Sequence, residues 1–278
     1  MSSSINTNIS ALRAHHALTH NHRLLETAMG KLATGERIGS AADDAAGSAI
    51  GDRLTSRIRG LNMAVRNAND GLSMLQTADG ATQEMSNMLW RMKELAIQSS
   101  NDTYTQSDRD NLNSEFAGLQ AQLGAVISNT EWNGSKVLSG EAGVSGSVKF
   151  HIGPSSSDHF TVDMGTLDTG SLHDVMQSSV LISSSSGAQS ALASIDEALT
   201  ELSNTRSTWG AASNRLVHAA DNATNVSMNS SASRSRILDT DYAQTTADMA
   251  RAMILNQAGS AMLSQANHTP VMVLALLR

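Results

Sequence analysis

The sequence predicts a mainly α-helical protein: an elongated antiparallel helical bundle and coiled coil formed by paired N- and C-terminal regions, with a small β-hairpin region in the middle. Three observations lead to this prediction. A long apolar seam of helical period runs through the first half of the chain, a similar seam returns in the second half, and the segment between them is rich in glycine, serine and short alternating pieces. Such seams are buried when helices pair.

The longest seam lies between Leu54 and Ala96, where apolar or small residues alternate in steps of four and three. An average step of 3.5 residues places them on one side of a helix that packs against another helix. At 1.5 Å per residue this helix is about 65 Å long, more than a compact single core requires. With one three-residue skip, the seam comprises Leu54, Ile58, Leu61, Val65, Ala68, Leu72, Leu75, Ala78, Thr82, Met85, Leu89, Met92 and Ala96.

The composition suits helical packing and argues against several classes of protein. Of the 278 residues, 3% are aromatic and 16% are charged, against about 25% charged in an average domain, so a core rests on aliphatic side chains and methionine. A net charge of −7 without any run of Lys or Arg argues against a nucleic-acid partner. There is no cysteine, and no apolar run reaches the roughly 18 residues that span a membrane. Met1–Ile9 lacks the pattern of a cleaved signal peptide, so that export route is not expected.

A shorter helix precedes the longest seam. Its apolar positions run from Ile5 to Leu32, and it is expected to end in the glycine-rich stretch 34–39. Either Asp43 or Asp44 then caps the next helix, because a carboxylate accepts hydrogen bonds from the free N–H groups at a helix start.

Further helices follow the long seam. Ser107 and Asp110 have the spacing of a capping box, and the helix that they open has the seam Leu112, Phe116, Leu119, Leu123 and Val126. A second long seam runs through Leu192, Ile195, Leu199, Leu202, Arg206, Trp209, Ser213, Leu216, Ala220 and Ala223. Asp239 or Thr240 is expected to cap a last helix from Tyr242 to about Asn267, which Pro270 interrupts.

The middle of the chain, about residues 135–187, predicts a hairpin rather than a helix. Val148–Ile152 and Phe160–Met164 alternate in the manner of strands and flank a turn at Pro154. Asn133-Gly134 is a turn dipeptide, and Ser183–Ser186 reads as a flexible joint between the hairpin and the second long seam.

Four motifs resemble those of the bacterial flagellins, and they occur in the same order along the chain. They are Leu32-Ala-Thr-Gly-Glu-Arg-Ile-Gly-Ser-Ala-Ala-Asp-Asp-Ala-Ala-Gly47, Arg66-Asn-Ala-Asn-Asp-Gly71, Met253-Ile-Leu-Asn-Gln-Ala-Gly259 and Val273-Leu-Ala-Leu-Leu-Arg278. The resemblance covers about residues 1–140 and 188–278. The middle departs from the family and is short, so large inserted outer domains are expected to be absent.

The resemblance implies a structural subunit that polymerises into the flagellar filament and takes part in motility. It implies an inner core domain of residues 1–43 with 236–278, and an outer helical bundle of 44–187 with 188–235 that carries the hairpin. It also implies export in an unfolded form by the flagellar type III system to an extracellular filament. The implied partners are further copies of the chain, an export chaperone, the export apparatus, and the filament cap and hook-junction proteins. Neither a membrane partner nor a cofactor is implied.

The terminal regions carry the residues expected to form the assembled core. Ile5, Ile9 and Leu12 are more apolar surface than one alanine-rich partner helix buries, and Val271–Leu277 is nearly all apolar. Exposed apolar surface of this kind marks an interaction site. The candidate assembly residues are Ile5, Ile9, Leu12, Leu24, Leu32, Met253, Ile254, Leu255, Leu274, Leu276 and Leu277.

A second candidate site comes from the resemblance alone. The segment Trp90–Gln98 is similar to the flagellin segment that a host Toll-like receptor binds, and Arg91, Leu95 and Glu115 match the positions that make that contact. Trp90 departs from the polar residue that is usual there. Arg91 and Glu115 also fit an ordinary surface or subunit contact.

Other clusters have simpler explanations than chemistry. His16 and His20 have the i, i+4 spacing of metal ligands on a helix, and His15 and His22 lie nearby. Without a neighbouring Cys or an early carboxylate, these histidines are read as polar positions on a helix. Asp43 and Asp44 are explained by helix capping, and no phosphate loop, zinc-protease helix or nucleophile elbow is present in the sequence.

A filament subunit has three alternatives. A hook–filament junction protein of the same superfamily is the nearest. A chemoreceptor-like coiled coil normally needs a membrane anchor, which the sequence lacks. An enzyme needs a catalytic constellation, and the sequence shows none, so the chain is expected not to be an enzyme.

Overall fold

A computed structural model describes the chain from residue 7 to residue 275, with side chains up to residue 268. Six helices are described: α1 (Ile9–Thr34), α2 (Ala45–Ser100), α3 (Gln106–Asn129), α4 (Ser171–Met176), α5 (Ser185–Leu238) and α6 (Tyr242–Ala275). Four strands lie between α3 and α4: β1 (Glu131–Trp132), β2 (Ser135–Lys136), β3 (Ser147–His151) and β4 (His159–Asp163). The predicted fold class is confirmed, because α1 pairs antiparallel with α6, α2 pairs antiparallel with α5, and small antiparallel hairpins occupy the middle. None of the described helices is long and apolar enough to cross a membrane.

The chain forms two compact units. The terminal unit comprises Met1–Ser56 and Asn229–Arg278, and the central unit comprises Arg57–Met228. Helices α2 and α5 each contribute residues to both units. 

In the terminal unit, α1 runs antiparallel to α6. The Asn8 side chain donates a hydrogen bond from Nδ2 to the Ala266 carbonyl at 2.7 Å. Gly259 faces α1 closely, because a Cβ at this position would lie 3.1 Å from Leu18 Cδ1. The end of α1 confirms the expected stop: Gly35 adopts φ 74°, and its N–H donates to the Lys31 carbonyl at 2.9 Å, the usual left-handed helix cap.

The two segments that separate the helices of the terminal unit, residues 35–44 between α1 and α2 and residues 239–241 between α5 and α6, lie side by side. The Arg37 N–H donates to the Leu238 carbonyl at 2.6 Å, and the Thr240 N–H donates to the Gly35 carbonyl at 2.9 Å. The Arg37 guanidinium adds a hydrogen bond from Nη2 to the Ile237 carbonyl at 2.6 Å. This pairing satisfies backbone groups that the helix ends leave free.

Aspartates cap the helices that start after these two connecting segments. Asp44 Oδ1 accepts hydrogen bonds from the Ala46 and Gly47 N–H groups at 3.1 and 3.0 Å, as predicted. Asp43 instead accepts from the Ser40 hydroxyl and N–H, which lowers the pKa of its carboxyl below the ordinary value of 3.8.

Two details of the α6 prediction are wrong. Its cap is Asp241, whose Oδ1 accepts from the Ala243 N–H at 2.9 Å, rather than Asp239 or Thr240. The backbone of Asp239 instead forms an isolated antiparallel β-bridge with that of Glu36, which pairs the two connecting segments. The helix also continues through Pro270 to Ala275.

The predicted seams line the interior of the central unit. Within it, α2 buries every predicted seam residue except Val65 and Leu72, which are half-buried. On α5 the buried side follows the predicted seam, with Arg206 and Ser213 half-buried. The fully buried positions include Leu75, Met85, Leu89 and Met92 on α2, Phe116 and Leu123 on α3, and Ile195, Leu202, Trp209 and Leu216 on α5. Helix α5 begins at Ser185, inside the segment that was predicted as a joint.

The capping box of α3 lies two residues before its predicted place. The Thr105 side chain accepts from the Asp108 N–H at 3.3 Å, and Asp108 Oδ2 accepts from the Thr105 N–H at 3.1 Å. The Thr105 hydroxyl also donates to Asp108, and this bond lowers the pKa of the Asp108 carboxyl below 3.8. The prediction of Ser107 and Asp110 is therefore wrong.

Both turns in the middle of the chain form hairpins. Strands β3 and β4 pair antiparallel with Phe150 opposite Phe160, which confirms the predicted hairpin to within one residue at each end. Strands β1 and β2 form a second, very short hairpin around Asn133 and Gly134, which adopt φ 50° and 79°. Two consecutive positive φ values are typical of the tight turn that Asn-Gly favours.

The β3–β4 hairpin packs along both long helices of the central unit. Towards α2, the Asn67 side chain donates from Nδ2 to the His151 carbonyl at 2.9 Å. Gly71 leaves room for Phe150, whose ring would lie 3.0 Å from a Cβ at that position. Towards α5, Trp209 Nε1 donates to the Asp163 carbonyl at 3.2 Å, and the Arg215 guanidinium lies 4.2 Å from the centre of the Phe160 ring.

Candidate assembly interface

Helix α6 exposes apolar side chains in several directions. Successive residues of a helix point about 100° apart, so Met253, Ile254 and Leu255 cover much of the circumference. They are 47%, 65% and 43% exposed. Met262, two turns further on, is also exposed. A helix that is apolar all round is normally buried, and α1 covers only the side marked by Gly259.

Helix α1 repeats this feature on a smaller scale. Ile9, Leu12 and Leu24 are exposed, whereas Leu32 is half-buried. Of the other predicted assembly residues, Leu274 has its backbone within α6, but its side chain lies outside the described part of the chain. Ile5, Leu276 and Leu277 lie outside the described residues altogether. The described candidates therefore belong to the paired helices of one unit and are largely open to solvent.

A groove of about 620 Å³ runs along the α1 and α6 pair. Its apolar lining includes Leu24, Ala28 and Leu255. The cationic residues Lys31, Arg37 and Arg251 and the carboxylates of Asp241 and Asp248 also line it. Both signs of charge therefore border an apolar floor, an arrangement suited to a protein surface that presents apolar side chains with a mixed polar rim.

The structure brings two of the three predicted receptor residues into contact. Arg91 Nε donates to Glu115 Oε1 at 2.9 Å, and Arg91 Nη1 donates to Glu94 Oε2 at 3.1 Å. The hydrogen bond to Glu115 and then that to Glu94 raise the pKa of Arg91 above its ordinary value. Leu95 is 1% exposed and faces the interior of the bundle, while Trp90 next to Arg91 is exposed. The surface at this site thus consists of an ion-paired arginine and an open indole.

The four histidines of α1 are exposed along that helix. His22 Nδ1 lies 3.1 Å from Glu26 Oε1, one turn further on. Among the residues described, no group of three or more His, Asp or Glu side chains is placed to hold a metal ion.

Three polar side chains with buried polar groups were not predicted from the sequence. Arg109 donates to the Ser99 and Asn101 carbonyls at the end of α2, and Gln120 Nε2 donates to the Val175 carbonyl at 2.8 Å. The amide atoms of Asn256 in α6 are buried without a hydrogen-bond partner in the described part of the chain. A polar residue at a seam position is the only sequence signal for such groups, and it does not identify their backbone partners.

Comparison with known proteins identifies the family. The sequence model of the bacterial flagellin N-terminal helical region matches residues 5–142, and that of the C-terminal helical region matches residues 192–277. The chain is 41% identical over 274 residues to a flagellin of Halalkalibacterium halodurans, with 99% of both chains covered. It is 36% identical over 284 residues to the flagellar filament 33 kDa core protein of Treponema phagedenis, again with 99% of both covered.

A solved structure agrees with these sequence matches. The crystal structure of Bacillus cereus flagellin superimposes with a TM-score of 0.50 and 26% identity, covering 57% of this chain and 88% of that one. Paired terminal helices, a helical central unit and these relatives define a structural subunit of a flagellar filament. The chain belongs to the bacterial flagellin family.

Proposed function

We propose that the chain polymerises through its terminal unit, with the exposed apolar side chains of α1 and α6 buried between copies. The main support for this proposal is that Met253, Ile254 and Leu255 point in three directions around α6 and are all exposed to solvent. One neighbouring surface cannot cover three directions, so the helix requires contacts with more than one copy. Burying the exposed part of each side chain contributes about 1 kcal/mol.

The assembled subunit then has the two domains that the sequence predicts. Residues 1–43 with 236–278 form the inner core of the filament, and residues 44–235 form the outer bundle with its hairpin. The exposed apolar residues of α1 and α6 support this division, because they fall within the proposed core ranges. Packing of these helices between copies provides the cohesion of the filament, so the chain acts without catalysis.

The surroundings of the filament follow from the same proposal. The subunit is exported unfolded by the flagellar type III system with an export chaperone, and it is added beneath the cap to an extracellular filament that joins the hook through its junction proteins. A chain without cysteine supports this route, because it carries no disulfide that would have to form after export.

Replacing Ile254 with aspartate tests the assembly face. The side chain is 65% exposed, so the monomer should keep its fold, but burying an unpaired carboxylate between copies costs several kcal/mol. We expect seeded elongation to slow by at least about 100-fold, measured by sedimentation and electron microscopy of purified protein with filament seeds.

Val144→Asp is the matched control. Val144 is 80% exposed and lies outside both sequence ranges that match the flagellin models. The Val144→Asp variant should elongate like the wild type. Circular dichroism should show unchanged helix content in both variants. Normal elongation of Ile254→Asp would refute the assembly face. Long filaments of the wild type would exclude the hook–filament junction alternative, because a junction protein is not expected to form them alone.

A second function concerns the surface around Arg91. We propose that a host Toll-like receptor recognises the monomer there, with Arg91 and Glu115 as the contact residues. Their mutual hydrogen bond supports this, because it holds the guanidinium in a fixed position on the surface. Leu95 lies beneath them in the core, and its proposed part is to hold this turn of α2 in place.

Arg91→Ala tests the recognition proposal. Loss of a central arginine typically weakens an interface by about 2 kcal/mol or more, so receptor activation in reporter cells should need at least about ten-fold more protein. Arg206→Ala is the matched control, because half-buried Arg206 also forms an interhelical ion pair, at 2.8 Å from Asp79. Removing either surface pair changes stability by about 1 kcal/mol or less. Equal activation by both variants would contradict recognition through Arg91.

A further inference from the structure

The methionines of this chain range from fully buried to largely exposed. On α2, Met85 and Met92 are 0% exposed, as is Met164 beside the hairpin. In the terminal unit, Met29, Met253 and Met262 are 52%, 47% and 65% exposed. We call these last three the terminal methionines.

Exposure decides which thioethers react with an oxidant. The sulfur lone pair attacks one oxygen of a peroxide, the O–O bond breaks, and the thioether becomes a sulfoxide while the peroxide is reduced to water. A buried sulfur is shielded from this attack by the packed core. The oxidant needs no metal or cofactor, because hydrogen peroxide itself supplies the oxygen atom and accepts the two electrons.

The product changes the surface that assembly requires. Thioethers pack adaptably against irregular apolar partners, whereas a sulfoxide is polar and accepts hydrogen bonds. Met253 directly precedes Ile254, and Met262 lies two helical turns from Leu255 on the same side of α6. Oxidation would therefore place a polar oxygen within the apolar face that is buried between copies, where it finds no donor among these aliphatic neighbours.

We propose that the terminal methionines are an oxidation site of the unassembled chain, where conversion to sulfoxides by a peroxide prevents entry into a filament. This inference rests on the proposed assembly face. Once copies have packed, the same side chains are buried and protected. The modification thus discriminates between free and assembled subunits, and methionine sulfoxide reductases reverse it.

Peptide mapping by mass spectrometry tests the chemistry independently of assembly. In monomer treated with hydrogen peroxide, the terminal methionines should gain oxygen well before Met85, Met92 and Met164. Met63 and Met228 of the central unit should react as well, because they are 47% and 59% exposed. Equal rates for buried and terminal methionines would overturn the site.

Seeded elongation tests the consequence. Peroxide-treated wild type should elongate at least about ten-fold more slowly than untreated protein. The variant with Met29→Leu, Met253→Leu and Met262→Leu keeps apolar volume and should elongate normally after treatment. The control variant with Met63→Leu and Met228→Leu is matched in exposure and should remain sensitive. A triple variant as sensitive as the wild type would overturn the proposal.

Reversal provides a test that needs no variant. Treating oxidised wild type with methionine sulfoxide reductases for both epimers and a thiol reductant should restore the mass map and the elongation rate together. A restored map without restored elongation overturns the proposal. Failure of untreated wild type to elongate on seeds would instead refute the assembly face, and the peptide map would still judge the oxidation site.

Discussion

Replacing Trp209 with alanine is expected to lower the free energy of unfolding by about 4 kcal/mol. Trp209 is 2% exposed and is among the largest buried side chains of the central unit. Its indole lies in the core, and its Nε1 donates a hydrogen bond to the Asp163 carbonyl of β4 at 3.2 Å. The substitution therefore leaves a large cavity in the core and removes the hydrogen bond that joins α5 to the hairpin.

Two further variants separate these contributions. Trp209→Phe keeps most of the apolar volume but leaves the Asp163 carbonyl without its partner, so a loss of about 1 to 2 kcal/mol is expected. Trp90→Ala removes an exposed indole on α2 and should change stability by about 0.5 kcal/mol or less. Urea unfolding followed by circular dichroism measures all three. A Trp209→Ala loss as small as that of Trp90→Ala would show that the indole does not fill the core.

Periodicity made the helices predictable because it records which side chains face the interior. The seam from Leu54 to Ala96 contains polar Thr82, and the structure buries it completely, with its hydroxyl donating to the Asp79 carbonyl at 2.9 Å. Spacing therefore identified an interior position that hydropathy alone would miss. The hairpin was equally accessible, because strand alternation and a Pro154 turn are local signals.

Helix starts were harder to place because capping patterns repeat within a few residues. Thr105-Gln-Ser-Asp108 and Ser107-Asp-Arg-Asp110 both satisfy the capping-box spacing. Tertiary structure selects the first, because α3 must begin early enough to direct Arg109 towards the end of α2. The cap of α6 was misplaced for the same reason. Asp241 caps the helix, whereas the backbone of Asp239 pairs with that of Glu36 in a β-bridge.

The candidate assembly face was predictable in part. An excess of apolar surface predicted Ile9 and Leu12, and Met253 to Leu255 belong to a motif that resembles the flagellins. The exposure of three successive α6 residues, however, depends on which side α1 covers. The partners of Gln120 could not be predicted, because its side-chain amide donates to the carbonyls of Val175, Gln177 and Val180, more than fifty residues away. No local pattern encodes contacts with irregular backbone at that distance.

Replacing Arg109 with alanine is expected to lower the free energy of unfolding by about 3 kcal/mol. Its guanidinium is buried at the end of α2, where Nη1 donates to the Ser99 carbonyl and Nη2 donates to the Asn101 carbonyl at 3.0 Å. The last carbonyls of a helix have no partner within the helix and carry partial negative charge. The variant removes the donor of the Ser99 carbonyl and leaves the Asn101 carbonyl with only the Tyr104 N–H at 3.4 Å. It also loses the packing of the aliphatic stem.

The substitution should also destabilise the start of α5, because the same end of α2 is hydrogen-bonded to it. The Ser99 hydroxyl donates to the Ile182 carbonyl, and the Ser185 hydroxyl donates to the Ser100 carbonyl at 3.1 Å. Hydrogen exchange should therefore accelerate at residues 181–185 in Arg109→Ala, in addition to the loss seen by urea unfolding. Arg109→Lys retains a charge but not the planar fork that reaches two carbonyls, so it should fall between wild type and alanine. If Arg109→Ala costs no more than the exposed Arg91→Ala, about 1 kcal/mol or less, then the α2 carbonyls do not depend on the arginine. The end of α2 would in that case be held by the two serine contacts alone.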